Sequence, residues 1–184
     1  MKKLVICLSL LIATNCYALP LREVSDEITK GCSTVEQKVV ALREAVYNKM
    51  KPYGNGHNLK DADTHSLEWC WENGVGWCNH QCNVFMLLAR EQGIATRLIY
   101  LLTKDKATSP HTIAEAQIGN KWVVVDVGNN IDFRYYGSLA TRSDMAVDFD
   151  NIVLANEKVK EIGGDEEYWR MFTNPCYLIK ELSP

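Results

Sequence analysis

The sequence predicts an α+β fold in which a central buried helix, carrying a cysteine at its start, packs against an antiparallel β-sheet. Three observations carry that prediction. The stretch from Cys78 to about Gln92 is apolar on every side of a helical wheel, and a helix without a polar face is surrounded by protein. His111 to Ile118 and Lys121 to Val127 are strand-like runs joined by Gly119-Asn120, a two-residue hairpin signal. Arg97 to Leu102 is a third strand, reached from the helix through a stop at Gly93.

The remaining elements follow in order. Val35, Val39, Leu42, Val46 and Met50 recur at three-to-four spacing, with Ser33 or Thr34 as N-cap, so residues 35–50 form an amphipathic helix. Pro52 to Asn58 is a loop by composition. Asp63-Thr64-His65-Ser66 caps a short helix through Leu67 to Trp71, which Gly74 and Gly76 terminate. After the hairpin, Gly128-Asn129-Asn130 is a turn, Ile131 to Tyr136 a further strand, Phe149 to Ile162 a helix closed by Gly163-Gly164, and Asp165 to Phe172 a last short helix.

A chain of 184 residues suffices for one domain with a real core, and no linker or composition break divides it. Met1-Lys2-Lys3, the apolar run Leu4 to Ala13 and Cys16-Tyr17-Ala18 read as a bacterial-type signal peptide over residues 1–18, leaving a single domain at 19–184 with its core at about 35–130. The run is too short to span a bilayer, and Asn15 disfavours lipidation of Cys16. A secreted or periplasmic location follows, with no transmembrane segment in the mature chain. Removing Lys2 and Lys3 leaves 18 basic against 23 acidic residues, a net charge of −5. That balance, with no basic stripe and no repeat, excludes nucleic acid as a partner.

The leader also removes Cys7 and Cys16, leaving Cys32, Cys70, Cys78, Cys82 and Cys176. An odd number in an oxidising compartment leaves one thiol unpaired or shared with another chain. With Cys78 free, the other four allow up to two bridges, in any of three pairings.

Cys78 stands in the first helical turn, where about half a unit of positive charge favours thiolate. Pairing about Gly119-Asn120 sets opposite one another residues whose numbers sum to 239, so Asp126 faces Ile113 and His111 is its diagonal neighbour on the same face. Cys78 would reach them if its helix crosses that face. Nucleophile, base and orienting carboxylate in this order suit cysteine-dependent acyl transfer. Read singly, Cys78 is a structural cysteine bonded to Cys70 or Cys82, His111 a satisfied histidine and Asp126 a turn cap.

These residues resemble the transglutaminase-like superfamily of papain-type cysteine enzymes. The carrying motifs are Gly76-Trp77-Cys78, Arg90-Glu91-Gln92-Gly93-Ile94-Ala95-Thr96-Arg97, His111-Thr112-Ile113-Ala114-Glu115 and Trp122-Val123-Val124-Val125-Asp126. The resemblance implies Cys78 as nucleophile, His111 as general base and acid, and Asp126 as the residue orienting the imidazole. Ile113 and Cys82 depart from the family pattern, which has an aromatic and a small residue there.

Trp69, Trp71 and Trp77 cluster around the cysteine as core packing or as a substrate platform, an indole N–H being able to donate to an oxyanion. Cys70, Cys78, His80 and Cys82 crowd together, but their spacing suits no closed zinc site, so neither metal nor cofactor is expected. His65 and His80 are expected to face solvent, and His57 to lie in a loop without a companion. The expected function is hydrolysis of a peptide or amide bond by a secreted protease or amidase, transglutaminase-type transfer being the variant, on a peptide or protein substrate associated with the cell envelope. The alternative is a non-catalytic module of the same fold that binds an envelope peptide or glycan.

Overall fold

The structure is a computed structural model that describes residues 20–52, 56–105, 108–173 and 177–182. The expected leader and Cys176 lie outside the described residues.

Helix α1 (Leu21–Ile28) follows Pro20 and was not foreseen. Helix α2 (Val35–Lys49) starts where expected: Thr34 Oγ1 accepts the Gln37 N–H at 3.1 Å and Gln37 Oε1 accepts the Thr34 N–H at 3.2 Å, a reciprocal pair that satisfies two orphan donors. Val39, Leu42 and Val46 are buried, whereas Val35 at the head of the stripe is 42% exposed. Asp63 and Thr64 belong to a separate helix, α3 (Leu59–Thr64), and Ser66 alone caps α4 (Leu67–Asn73). Gly74 ends α4 in the left-handed conformation, φ 66°.

Helix α5 (Cys78–Glu91) is the central helix. Its end explains the Gly93-Ile94 motif: Gly93 takes φ 70°, its N–H reaches the Arg90 carbonyl and the Ile94 N–H reaches the Ala89 carbonyl, while buried Ile94 pins the chain. Strands β1 (Thr96–Leu101), β2 (His111–Ile118) and β3 (Lys121–Val125) follow. Gly119 takes φ 61°, as the first central position of such a turn requires, and Ala114 pairs with Val125 and Ile118 with Lys121, the expected register.

Beyond β3 the elements are short. The expected strand 131–136 reduces to a bridge between Asp126 and Ile131 and a two-residue ladder of β4 (Arg134–Tyr135) with β5 (Ser138–Leu139). Helix α6 (Arg142–Val147), capped by Thr141, was not foreseen. The expected helix 149–162 splits into a π-helical turn, Asp150–Leu154, and α7 (Glu157–Ile162). The break falls at Asn156, whose Oδ1 accepts the Lys158 N–H at 3.0 Å; such a side chain favours starting a helix over continuing one. Helix α8 (Glu166–Arg170) lies within the expected 165–172. Strand β6 (Tyr177–Leu182) completes a sheet of order β3-β2-β1-β6.

The sheet separates two buried clusters. On one face Leu98, Ala114, Ala116, Val123 and Val125 pack with Phe85, Met86 and Leu88 of α5 and with α2. On the other, Ile99, Leu101, Ile113 and Val124 pack with Phe133, Ile152, Trp169 and Phe172 from the C-terminal segment. His111 shares the parity of Ile113 and lies near Phe172, ring centroids 6.1 Å apart. The expectation that α5 crosses the face bearing His111 is therefore overturned. Strand parity says which side chains share a face, not which layer covers it.

Candidate active site

Since α5 covers the opposite face, its cysteine meets His111 at the end of the sheet. His111 is the first residue of β2 and Asp126 comes one residue after β3, so both stand at the edge past which the N-terminus of α5 projects. Gly76 allows that approach: a Cβ there would meet His80 Cβ at 2.7 Å and Met50 Cε at 2.9 Å. The His80 ring folds back over Gly76 and its Nδ1 accepts the Trp77 N–H at 3.2 Å. His80 is therefore buried rather than solvent-facing, and burial lowers its pKa against the opposing charge of Asp63.

His111 Nε2 and Asp126 Oδ1 are 2.8 Å apart, with His111 5% exposed and Asp126 fully buried. That contact leaves the other ring nitrogen free, and the Cys78 side chain lies beside the same ring, both being next to Gly128. Burial alone would lower the His111 pKa, but the charge and hydrogen bond of Asp126, followed by those of Cys78, raise it to about 10. Burial alone would raise the Cys78 pKa, but the His111 hydrogen bond and charge, with Thr112 hydrogen bonds, bring it below its ordinary value. A thiol so shifted beside a protonated imidazole can act as a thiolate–imidazolium pair, able to attack a carbonyl carbon.

Two residues outside the sequence-based site complete it. Asn129 donates its backbone N–H to Asp126 Oδ1 at 3.1 Å and its side-chain amide to Asp126 Oδ2 at 2.9 Å. Gly128 lies against both candidate residues: a Cβ there would meet His111 Cε1 at 3.0 Å and Cys78 Cβ at 3.3 Å. Arg43, 4% exposed on α2, braces the following turn through Asn130 Oδ1 at 2.9 Å and an ion pair with Asp132. The sequence carried one signal for Gly128 and Asn129, their position in the turn after Asp126; Arg43 gave none.

From the C-terminal segment, Tyr168 packs over His111 at a ring-centroid distance of 6.4 Å. Burial, then the charge of Asp126, pushes its pKa up to about 12, so the hydroxyl stays neutral. Tyr168 also lines a cleft of about 640 Å³ with Thr103, Pro110 and Met171.

The other candidates disperse. Trp69 stacks on His65 at 4.0 Å and meets His57 edge-on at 5.0 Å, so His57 has companions after all. Trp71 lies under Lys49 Nζ, and both tryptophans pack on the core. Only Trp77, 47% exposed, offers an open face next to Cys78. Cys82 is buried, donates to the Thr112 carbonyl at 3.3 Å and has its pKa raised well above normal, chiefly by burial. Cys32, Cys70, Cys78 and Cys82 are all free thiols. The motif residues Arg97, Glu115 and Trp122 form a brace: Glu115 accepts from Arg97 and from Arg142 of α6, and Arg97 lies over the Trp122 ring at 4.2 Å.

The chain belongs to the transglutaminase-like superfamily, whose family pattern matches residues 22–127. Among solved structures it is similar to a candidate cysteine protease from Cytophaga hutchinsonii, at 20% identity and a TM-score of 0.44 over 67% of this chain and 41% of that one. It is also similar to a candidate protease from Parabacteroides distasonis, at 13% identity and a TM-score of 0.43 over 57% of this chain and 22% of that one. The chain thus spans well under half the length of either. No curated protein matches it. Among the described residues, no helix is long and apolar enough to cross a membrane.

Proposed function

We propose that the chain is a secreted single-domain cysteine hydrolase of peptide or amide bonds, with Cys78 as nucleophile, His111 as general base and acid, and Asp126 as the orienting carboxylate. The observation that supports this reading is the buried Asp126 contact at 2.8 Å on His111 Nε2, which leaves the other ring nitrogen to serve Cys78. Cys78 Sγ bonds to the carbonyl carbon, the C–N bond breaks, and the amine leaves with the proton of His111. Water then attacks the thioester, giving its proton back to His111 and releasing the thiolate. The backbone N–H of Cys78 at the helix start suits the oxyanion, and exposed Trp77 offers a surface for the substrate chain. Water, as the solvent, is the default acceptor, and no motif in the sequence points to a dedicated amine site. The apolar leader supports export, and with it a peptide or protein substrate of the cell envelope.

Iodoacetamide labelling of the reduced protein tests this. Cys78 should react at pH 6 at least about ten times faster than an unperturbed thiol of pKa about 8.5, whose thiolate fraction there is below one per cent, and His111→Ala should abolish the advantage. A Cys78 rate equal to that of a free thiol, and indifferent to His111, would overturn the reading.

A further inference from the structure

We propose that Asn129 is a positioning residue for this chemistry, holding the Asp126 carboxylate in line so that His111 keeps its ring turned toward Cys78; the inference rests on the function proposed above. Asp126 is fully buried, where an ionised carboxylate needs donors on both oxygens. Oδ1 receives His111 Nε2–H at 2.8 Å and the Asn129 backbone N–H at 3.1 Å, and Oδ2 receives the Asn129 side-chain N–H at 2.9 Å. Asn129 thus supplies two of the three contacts.

Asn129 Nδ2 also lies 3.3 Å from His111 Nε2. Both atoms are donors when Nε2 carries the proton, so this is no hydrogen bond between them. It is the spacing of a two-pronged fork, imidazole on one oxygen and amide on the other, closing on a single carboxylate. The amide orientation is fixed by the same argument, because a reversed amide would set its oxygen against Asp126 Oδ2. With the fork in place, the carboxylate cannot rotate without losing Oδ2, and the imidazole cannot turn Nε2 elsewhere without losing Oδ1. The backbone beyond the turn is fixed independently, by the Ile131 N–H on the Asp126 carbonyl at 3.2 Å and by Arg43 on Asn130 at 2.9 Å. The Asn129 side chain also interacts with the Tyr168 hydroxyl, so what it holds is the carboxylate and its aromatic cover rather than the fold of the turn.

The role of Asn129 predicts a change in pH dependence. Without the amide donor on Oδ2 the Asp126 carboxylate is free to turn away from His111 Nε2, the imidazolium loses its counter-charge, and the thiolate survives only at higher pH. In Asn129→Leu, similar in volume but without donors, the acid limb of Cys78 alkylation should move up by about one pH unit, a tenfold loss of rate near the acid end. At pH 8.5 the rate should change far less. Asn129→Ser provides a second, smaller variant, and circular dichroism with thermal melting establishes that each is folded. Nitrogen-15 spectra of labelled histidine in the full chain read the same point directly: His111 should titrate at lower pH in both variants. A folded Asn129 variant with the wild-type acid limb and wild-type His111 titration would overturn the proposal, provided that the wild-type rate still depends on His111. If the wild-type rate does not depend on His111, the proposed function itself has failed.

Discussion

Residues 22–127 and the segment after them build the site in opposite ways. The first region has long, periodic elements: a fourteen-residue α5, a fifteen-residue α2 and a hairpin in strict register. It supplies Cys78, His111 and Asp126. Apart from β6, the second region is made of helices of five or six residues, strands of two and a π-helical turn. It supplies Gly128, Asn129, Tyr168 and Phe172, the groups against which the first three are held. The first region supplies the candidate triad, and the second supplies the groups packed against it.

The sharpest way to separate them is a pair of core truncations. Leu88 in the last third of α5 and Phe172 beyond α8 are both fully buried. Truncating either to alanine should cost about 3 to 5 kcal/mol for the phenylalanine and about 2 to 5 for the leucine in urea unfolding. Their effects on Cys78 should differ. Leu88 lies ten residues along the helix, about 15 Å from Cys78, and the alkylation rate of the still-folded protein should hold. Phe172 packs on His111, Phe133 and Trp169 at centroid distances of 6.1, 5.3 and 5.6 Å, and its loss should slow Cys78 as well. Equal alkylation in the two variants would dissolve the division.

How much of this was legible follows from the same contrast. The capped stripe of α2, the all-apolar α5 and the Gly119-Asn120 turn are local signals, and each lies within a residue or two of its expected place. The family motifs were legible too, though Arg97, Glu115 and Trp122 carry a structural brace. The layer over His111 was not, because parity fixes shared faces and says nothing of what covers them. Short C-terminal helices fall below the length that stabilises itself; their existence depends on tertiary contacts that no local window contains. Arg43 was hidden for a similar reason: it is a charge buried beside an apolar stripe, and its partners Asn130 and Asp132 lie far along the chain.

A pair of glycines gives the next test. A side chain would collide at Gly76, beside the helix start, and would sit tightly at Gly128, beside His111 and Cys78. Gly76→Ala would press on the His80 ring and Met50, and should show chiefly as lost stability. Gly128→Ala would press on His111 Cε1 at 3.0 Å and Cys78 Cβ at 3.3 Å, and the small shift this enforces on the ring should lower Cys78 reactivity by roughly several-fold, a fraction of the loss that a full displacement of about 1 Å brings, while the far-ultraviolet spectrum stays that of the wild type. Wild-type reactivity in folded Gly128→Ala would mean that the ring has slack, and the tight positioning argued for the second region would fall.

The smallest expected effect lies at Tyr136, also in the second region but outside its site. It is 91% exposed at the tip between β4 and β5, with φ 48°, a backbone region that costs a bulky residue about 1 kcal/mol or more. Its one aromatic neighbour is Tyr135, at 4.4 Å, which recovers part of that cost. Asparagine tolerates the same φ because its short amide bonds locally. Tyr136→Asn should therefore raise stability by roughly 0.5 kcal/mol, a shift in Tm of about 1 to 2 °C for a chain of this length, and leave Cys78 alkylation unchanged. The sign matters more than the size. If the irregular segment were optimised throughout for the site, substitutions across it would slow Cys78; a variant there that gains stability and keeps its reactivity confines the positioning role to the residues that touch His111 and Asp126. A Tyr136→Asn protein that melts lower than the wild type would show instead that the contact of Tyr136 with half-buried Tyr135 stabilises the hairpin by more than the left-handed backbone costs it.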